Sequence, residues 1–353
     1  MSVAEEVRVL RASAGISYPR HVSLALVEGI DALDLLQAVS TNSPYIREGR
    51  IRHALFLRED ASIFADVMLV RVQDRFLVLA EGPGERELVG WLDGAKDRLC
   101  AMNRATVRAI GELWSVFSVD GPYAWEVVAG VLGNVVLGQP YLSLLHREGI
   151  LCLRAGKTGE FGYLLLAPKD VSAKVESKLL EVGRPLDLTR VSLEALDVCA
   201  MESGHFSIRT LRETSLACPL TPLELQLQSR VDYSRGFIGG HALSERRGAG
   251  AKVRATCFLS EGRVLPGQRV ELADMEVGEI LAACPAPTLG QTVGSVLLER
   301  RFAHPHLTLT TTGPEGHASL RTCTASLVDS LSLRIQPHRH AYATRDRVER
   351  PSA

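Results

Sequence analysis

A repeated pattern of predicted elements constrains the fold more than any other feature of the sequence. Residues 21–39 and 113–131 each show the alternation of a strand, a glycine-containing turn and the apolar spacing of an amphipathic helix. Strand-like runs follow each copy, and helical segments at 84–99 and 169–182 close the two blocks. The pattern predicts two pseudo-repeated, ferredoxin-like α+β halves, at 1–111 and 112–245.

The character of the sequence changes after residue 245. Short strand-like runs recur at regular spacing between residues 255 and 327, and glycine and proline separate them. This spacing is typical of an antiparallel barrel or sandwich, and we predict a C-terminal β-barrel over 250–333. The arginine-rich segment 334–353 is predicted to be a mobile tail.

Composition excludes several classes of protein. The 353 residues carry a formal net charge of −1, with acidic and basic residues interspersed, so there is no basic surface for a nucleic acid. No apolar run approaches the length of a membrane span, and the acidic N-terminus lacks the apolar stretch of a secretory signal. We therefore expect a cytoplasmic protein, a monomer or weak homodimer, with no nucleic-acid or membrane partner.

Metal and nucleotide sites are not indicated either. The seven cysteines form no C-x-x-C pair, and the histidine pairs His304/His306 and His338/His340 have no acidic or thiol partner nearby in the sequence. We interpret the cysteines as reduced thiols and the histidines as solvated, and predict no metal. The AGKT run at 155–158 resembles the end of a phosphate-binding loop, but that loop requires glycine at position 151, which is Leu151.

Six blocks, in order along the chain, resemble the family of the glycine-cleavage aminomethyltransferase and its folate-binding relatives. They include TGEFGY at 158–163, TPLELQL at 221–227, FIGGHAL at 237–243 and PTLG at 287–290. The other two contain Asp66, where the family has the second of two aspartates, and Glu202, at the end of an apolar helical run. The resemblance implies a three-domain ring and a tetrahydrofolate or 5,10-methylene-tetrahydrofolate cofactor.

The resemblance also implies roles for two carboxylates. Glu202 occupies the family's position for binding the two-donor edge of the pterin ring, since a buried carboxylate accepts two parallel charge-assisted hydrogen bonds there. Asp66 would exchange a proton with the folate nitrogen or stabilise a cationic one-carbon unit. The alternatives are a helix-terminal glutamate that faces water and an aspartate that caps its strand or pairs with Arg71.

Three further residues are candidate cofactor contacts. Glu224 follows Pro222 in a loop and is either a ligand contact or a buried structural carboxylate. Arg235 lies near the position where relatives have a basic residue toward the anionic tail of the folate, or is simply solvated. Lys157 replaces the tyrosine of the family's G-Y-T-G-E segment.

The positions at which this sequence departs from the family pattern indicate a different substrate. Two arginines of the family become Leu196 and Ala200, and the family's N-A-A-N run becomes AEGP at 80–83. We therefore predict a tetrahydrofolate-dependent methyl or methylene transferase that acts on a small one-carbon donor or acceptor rather than on the aminomethyl-lipoate of glycine cleavage. The alternatives are a non-catalytic folate-binding protein of the kind that assists iron–sulfur protein maturation, and a degenerate relative without a ligand.

Overall fold

The structure, a computed structural model, describes residues 1–98, 104–205, 207–211, 220–313 and 316–348. It contains two β-sheets and a closed barrel, which confirms the predicted α+β class with a C-terminal β-barrel. The chain begins with helix α1 (Val3–Ala12) and strand β1 (Gly15–Ser17). Ser2 caps α1, because its hydroxyl accepts the N–H of Glu5 while the Glu5 carboxylate accepts the N–H of Ser2.

The first sheet is antiparallel and has the strand order β3-β4-β5-β2-β6. Two helices cover its outer face. The elements are β2 (Ser23–Gly29), α2 (Ala32–Val39), β3 (Ile51–Leu57), β4 (Ile63–Val72), β5 (Arg75–Glu81), α3 (Glu85–Arg98) and β6 (Ala105–Ala109).

The second sheet repeats this arrangement. Its order is β8-β9-β10-β7-β1-β11, in which β1 and β11 are parallel to each other and the other pairs are antiparallel. The elements are β7 (Trp114–Asp120), α4 (Ala124–Leu132), β8 (Ser143–Arg147), β9 (Ile150–Arg154), β10 (Gly162–Pro168), α5 (Lys169–Gly183) and β11 (Thr189–Arg190). In the first sheet the successive strands β3, β4 and β5 return the chain to β2, which pairs with β5. In the second sheet β8, β9 and β10 return it to β7, which pairs with β10, as the sequence pattern predicts.

The two sheets pack face to face. Along β5, Leu77 and Leu79 point into the layer between the sheets, whereas Phe76 and Val78 pack under the helices of the first half. This alternation follows from the two-residue period of a strand. The sheet edges also meet, since the N–H of Ile51 donates to the carbonyl of Leu142 at 3.0 Å.

The C-terminal barrel closes in the order β12-β15-β14-β13-β16-β17. Helices α6, α7 and α8 connect the second sheet to it. The bounds are α6 (Leu193–Glu202), α7 (Ile208–Leu211), α8 (Gly240–Ala249), β12 (Val253–Ser260), β13 (Arg269–Leu272), β14 (Met275–Ala286), β15 (Gln291–Glu299), β16 (Thr308–Gly313) and β17 (Gly316–Cys323). No described helix combines the length and apolar character that crossing a membrane requires.

The segment beyond the barrel packs against the second half. Ile335, Tyr342 and Val348 are buried in the core formed by α4, α5 and the second sheet, and the ring of Tyr342 makes an edge-to-face contact with Tyr123. The mobile tail predicted for 334–353 therefore contributes side chains to a core as far as residue 348. The β1 strand, placed by sequence in the first half, pairs with β7 and β11 of the second sheet.

Candidate functional site

An inner cavity lies where the two sheets meet helix α6. The space between its atoms, with the solvent at its mouth included, is about 870 Å³. Strands β4, β5, β7 and β10, the loop 155–158 and one face of α6 contribute its walls. We call this space the inner cavity.

A wider opening, the outer vestibule, lies between the α+β halves and the barrel. Its lining includes Tyr141, His205, Arg230 and His304. The inner cavity and the outer vestibule share His53, Asp66, Gly156 and Lys157. These residues therefore form the junction between the two spaces.

Asp66 is held at this junction by two cations. It lies on β4 opposite Glu81 of β5, and its side chain is 13% exposed. Lys157 Nζ lies 3.2 Å from Oδ2 and Arg230 Nη1 lies 2.8 Å from Oδ1. Burial alone would raise the pKa of Asp66, but Lys157 and Arg230 outweigh it and hold that pKa well below its ordinary value. Asp66 is thus a carboxylate ion at any physiological pH.

Lys157 joins two carboxylates. Its Nζ lies 2.9 Å from Glu81 as well as 3.2 Å from Asp66. Burial opposes the charged form of Lys157, but the two carboxylates raise its pKa above the ordinary value. Together with Arg230 the cluster contains two cations and two anions, so its formal charges cancel.

The histidines beside this cluster are held uncharged. Burial lowers the pKa of His53 to about 4. Burial and the charges of Arg230 and Lys157 lower the pKa of His205, and burial lowers that of His21. None of these three imidazoles provides a cation at neutral pH.

Asp120 is a second buried carboxyl group of the inner cavity. It ends strand β7, is 3% exposed and accepts a hydrogen bond of 2.5 Å from Ser118 Oγ. Burial raises the pKa of Asp120 to about 7, although the Ser118 hydroxyl acts in the opposite direction. Sequence reasoning assigned Asp120 only to the turn before α4. The available signal was the alternation in VFSVD, which puts both polar side chains on one face of an otherwise apolar strand.

Helix α6 presents two different faces. Leu193, Leu196, Asp197 and Ala200 line the inner cavity. The opposite face, with Ala195, Val198 and Cys199, packs against α1. The i, i+3, i+4 spacing of each set follows from the 3.6-residue period of the helix.

Glu202 lies on the packed side of α6. Its carboxylate is fully buried and accepts hydrogen bonds from Arg11 Nε at 3.1 Å, Arg11 Nη2 at 2.9 Å and Thr288 Oγ1 at 2.9 Å. Thr288 belongs to the PTLG loop between β14 and β15. Glu202 therefore connects α1, α6 and the barrel, and it is not among the residues that line the inner cavity or the outer vestibule. Its assignment as the pterin anchor stays a prediction.

Glu224 and Arg235 also lie away from both spaces. The carboxylate of Glu224 is buried and accepts hydrogen bonds from the N–H and hydroxyl of Thr221. Arg235 donates to the side chain of Gln37 at 2.6 Å and to the carbonyl of Ser40 at 3.0 Å. Of the five residues selected from the sequence, the structure brings together Asp66 and Lys157. Arg230, which had no recognisable signal in the sequence, joins them.

Comparison with known proteins now identifies the family. The family model described as "GCVT N-terminal domain" matches residues 1–235, well over half of the chain. The chain belongs to this family. The sequence is 26% identical over 315 residues to an aminomethyltransferase of Chlorobium luteolum, with 86% of this chain and 84% of that protein covered. It is 28% identical over 312 residues to an aminomethyltransferase of Symbiobacterium thermophilum, with 83% and 80% covered.

A solved member of the glycine cleavage system has the same fold. The crystal structure of aminomethyltransferase T from Bartonella henselae superposes with a TM-score of 0.81, at 20% identity, over 93% of this chain and 90% of that chain. The resemblance found in the sequence is thereby confirmed for the family and the fold. Within this GCVT-family chain, three of the positions that depart from the family pattern, Lys157, Leu196 and Ala200, line the inner cavity.

Proposed function

We propose that this GCVT-family protein binds tetrahydrofolate in the inner cavity and transfers a methyl or methylene group between the folate and a small substrate. The observation that supports this most is the position of Asp66, which lines both the inner cavity and the wider outer vestibule. A folate in the inner cavity and a second substrate in the outer vestibule would meet at that carboxylate.

The residues of the inner cavity fit a reduced folate. Its walls include the apolar side chains of Met68, Leu79, Leu164 and Leu196, which suit the faces of a flat ring. When bound, tetrahydrofolate supplies the nitrogen that carries the one-carbon unit. The residues of the chain orient it and set the electrostatics around it.

Asp66 would act as a fixed negative charge. Because Lys157 and Arg230 hold its pKa far below neutrality, it is a poor proton acceptor and does not act as an acid. A carboxylate held in place by two cations can still stabilise positive charge that develops on a one-carbon unit at the junction. We therefore assign electrostatic stabilisation to Asp66 and positioning of Asp66 to Lys157 and Arg230.

The substrate would differ from the lipoate-bound aminomethyl group of glycine cleavage. Leu196 and Ala200 replace two arginines of the family pattern and line the inner cavity. Apolar side chains at these positions remove two cations from the folate side of the junction, so an anionic group on a substrate is no longer attracted there. We therefore propose a small O-, N- or S-methyl compound as the substrate.

One observation favours a non-catalytic alternative. Two cations neutralise Asp66, and this reduces the attraction that the carboxylate could offer to a cationic reaction centre. A folate-binding accessory protein, of the kind that assists iron–sulfur protein maturation, would keep the inner cavity without needing turnover. Binding and turnover must therefore be measured separately.

The test is an anaerobic titration with tetrahydrofolate together with transfer assays on labelled O-, N- and S-methyl donors. We expect Asp66→Asn to bind within about threefold of the wild type and to lose roughly 10²–10³-fold in transfer rate. Asp74→Asn, an exposed carboxylate in the turn between β4 and β5, is the matched control. Binding without transfer for every donor favours the accessory protein, and absence of binding to the wild type contradicts both functions.

A further inference from the structure

We infer that the outer vestibule binds a carboxylate, and that Arg230 receives it with the part of its guanidinium that Asp66 does not use. The ligand class is a small carboxylic acid that carries the transferable methyl group on oxygen, nitrogen or sulfur, a few bonds from its carboxylate. This inference rests on the proposed function, and it narrows the substrate from any small methyl compound to a methylated acid.

Arg230 has hydrogen-bond donors that the protein leaves unused. A guanidinium carries five N–H donors, and among the described residues the side chain of Arg230 makes one hydrogen bond, from Nη1 to Oδ1 of Asp66 at 2.8 Å. The side chain is 20% exposed, and its nitrogens are not among the buried, unpartnered polar atoms of the described chain. Because Arg230 lines the outer vestibule, its remaining donors are open to a ligand there.

The charges of the junction are distributed unevenly between the two spaces. Glu81 lines the inner cavity and is not part of the lining of the outer vestibule, whereas Arg230 lines the vestibule and not the inner cavity. Asp66 and Lys157 line both. The cluster is neutral as a whole, so its negative end faces the inner cavity and its positive end faces the vestibule. An anion in the vestibule is therefore attracted to Arg230.

The other described groups of the vestibule do not cancel this charge. Asp66 is the one acidic side chain in its described lining, and both Lys157 and Arg230 already contact it. Burial lowers the pKa of His53 to about 4, and burial with the nearby cations lowers that of His205. These imidazoles add no charge at neutral pH, and two cations therefore face one anion.

Tyr141 provides a further donor in the same space. Its side chain is exposed and lines the outer vestibule. Partial burial raises the pKa of the phenol, against the opposing charges of Arg230 and Lys157. The hydroxyl is therefore protonated at neutral pH and lies within the field of both cations. A carboxylate bound to Arg230 can accept a hydrogen bond from it.

The turn that carries Tyr141 is fixed before any ligand binds. The next residue, Leu142, has a φ of +56°, in the left-handed region that side-chain-bearing residues rarely adopt. Its N–H donates to the carbonyl of Arg154 at 2.9 Å, and its carbonyl accepts the N–H of Ile51 at 3.0 Å. The backbone beside Tyr141 is thus tied to both sheets, which lowers the entropic cost of binding at this position.

This arrangement orients the substrate. Arg230 contacts Asp66 directly, so an acid held by the free donors of Arg230 can reach the Asp66 side of the junction with a methyl group a few bonds away. In transfer from a methoxy acid, the bond between the methyl carbon and oxygen breaks and the methyl carbon bonds to the folate nitrogen. The proton of that nitrogen goes to the leaving oxygen. Leu196 and Ala200 provide no cation on the folate side, so the carboxylate is directed to the vestibule.

The experiment compares methoxyacetate with 2-methoxyethanol, which carry the same methoxy group and differ in the carboxylate. Binding is measured by ligand-detected NMR without folate. The wild type should bind methoxyacetate about tenfold more tightly, with a preference that falls as salt is added. Arg230→Gln should weaken the binding of methoxyacetate about 30-fold and leave that of 2-methoxyethanol within about twofold. Arg8→Gln, an exposed arginine of α1, is the matched control.

Transfer kinetics separate the two roles of Arg230. Because Arg230 also positions Asp66, Arg230→Gln should lower kcat for both donors by a similar factor, whereas KM should rise for the acid alone. Arg230→Lys keeps the charge and should bind methoxyacetate within about fivefold of the wild type. Tyr141→Phe should weaken the binding of the acid about threefold and leave that of the alcohol unchanged.

Equal binding of the two donors by the wild type would overturn the carboxylate site and leave the proposed function intact. An acid preference that survives in Arg230→Gln, with a native melting curve, would do the same. A second source of a carboxylate is the glutamate of the folate, and 5-formyltetrahydropteroate lacks it. If Arg230→Gln weakens the binding of 5-formyltetrahydrofolate and not that of the pteroate, the site belongs to the folate and the inference fails. If methoxyacetate binds and 5-formyltetrahydrofolate does not, the proposed function fails and the carboxylate site stands.

Discussion

One face of helix α6 lines the inner cavity with Leu193, Leu196 and Ala200, whereas the other side of its C-terminal turn holds Glu202 against Arg11 and Thr288. Both regions are buried, but their polar groups are satisfied differently. The carboxylate of Glu202 has all its described partners within the protein, while Asp120, across the cavity from α6, has a single side-chain donor. The comparison therefore sets a buried carboxylate held by a cation against a buried carboxyl held, among the described side chains, by one hydroxyl.

The largest expected effect comes from breaking the paired carboxylate. Glu202→Gln removes one of the two carboxylates that pair with the largely buried Arg11, the other being Glu160, and breaking a buried ion pair costs up to about 3–5 kcal/mol. Urea unfolding measures this loss. Glu194→Gln, an exposed carboxylate on the same helix, is the control and should stay within about 0.5 kcal/mol of the wild type. Equal stabilities of the two variants would show that the Glu202 pair does not hold the domains together.

Asp120, which has no ion-pair partner among the described residues, should lower the stability of the fold when it is ionised. The folded pKa of Asp120 is about 7, above the ordinary value of 3.8, so the folded state keeps a proton that the unfolded chain releases between these two values. The stability of the wild type therefore falls as pH rises through this range. Asp120→Asn cannot titrate, and we expect it to be more stable than the wild type at pH 8 by roughly 2–4 kcal/mol, with the difference vanishing near pH 4. A wild type whose stability does not change between pH 4 and 8 would contradict this.

The stability that Asp66 contributes should be lost in acid, which is the reverse of the effect of Asp120. The pKa of Asp66 is depressed by Lys157 and Arg230, so its stabilising contribution is present above the ordinary pKa of 3.8 and is lost as pH falls below that value. Lys157→Met should cost about 2 kcal/mol at pH 7 and should flatten the loss of stability between pH 4 and 2. The control is Lys178→Met, which removes an exposed pair with Glu181. If the stability of Lys157→Met falls between pH 4 and 2 as steeply as that of the wild type, Lys157 does not set the pKa of Asp66.

The smallest expected effect concerns the cavity face of α6. Leu196→Arg restores a cation of the family pattern and fills part of the inner cavity, so the affinity for 5-formyltetrahydrofolate should fall about tenfold. Leu196→Met keeps the apolar volume and should bind like the wild type. Fluorescence or calorimetric titration distinguishes the two. Tighter binding by Leu196→Arg would show that the ligand is more anionic than we propose.

The fold could be predicted to a large extent because its signals are periodic. The repeated strand–turn–helix pattern specifies both sheets, and the spaced strands after residue 245 specify the barrel. The packing of Ile335, Tyr342 and Val348 could not be predicted, because three isolated apolar residues in an arginine-rich segment form no period. The assignment of β1 to the second sheet depends on a long-range pairing that no local pattern encodes.

The site was less predictable for a different physical reason. Asp66 and Lys157 could be selected from motifs, and the structure brings them together. Glu202 was selected with equal justification, yet whether a helix-terminal carboxylate faces a cavity or a neighbouring helix depends on packing that one sequence does not reveal. Arg230 and Asp120 were missed, since an arginine in a loop and an aspartate before a turn have common structural explanations.

The most direct test is a crystal structure with 5-formyltetrahydrofolate bound. Our account predicts the pterin ring in the inner cavity, against Leu196, with the nitrogen that carries the one-carbon unit beside Asp66. A structure with the ligand bound outside the inner cavity, or with that nitrogen remote from Asp66, would contradict the account.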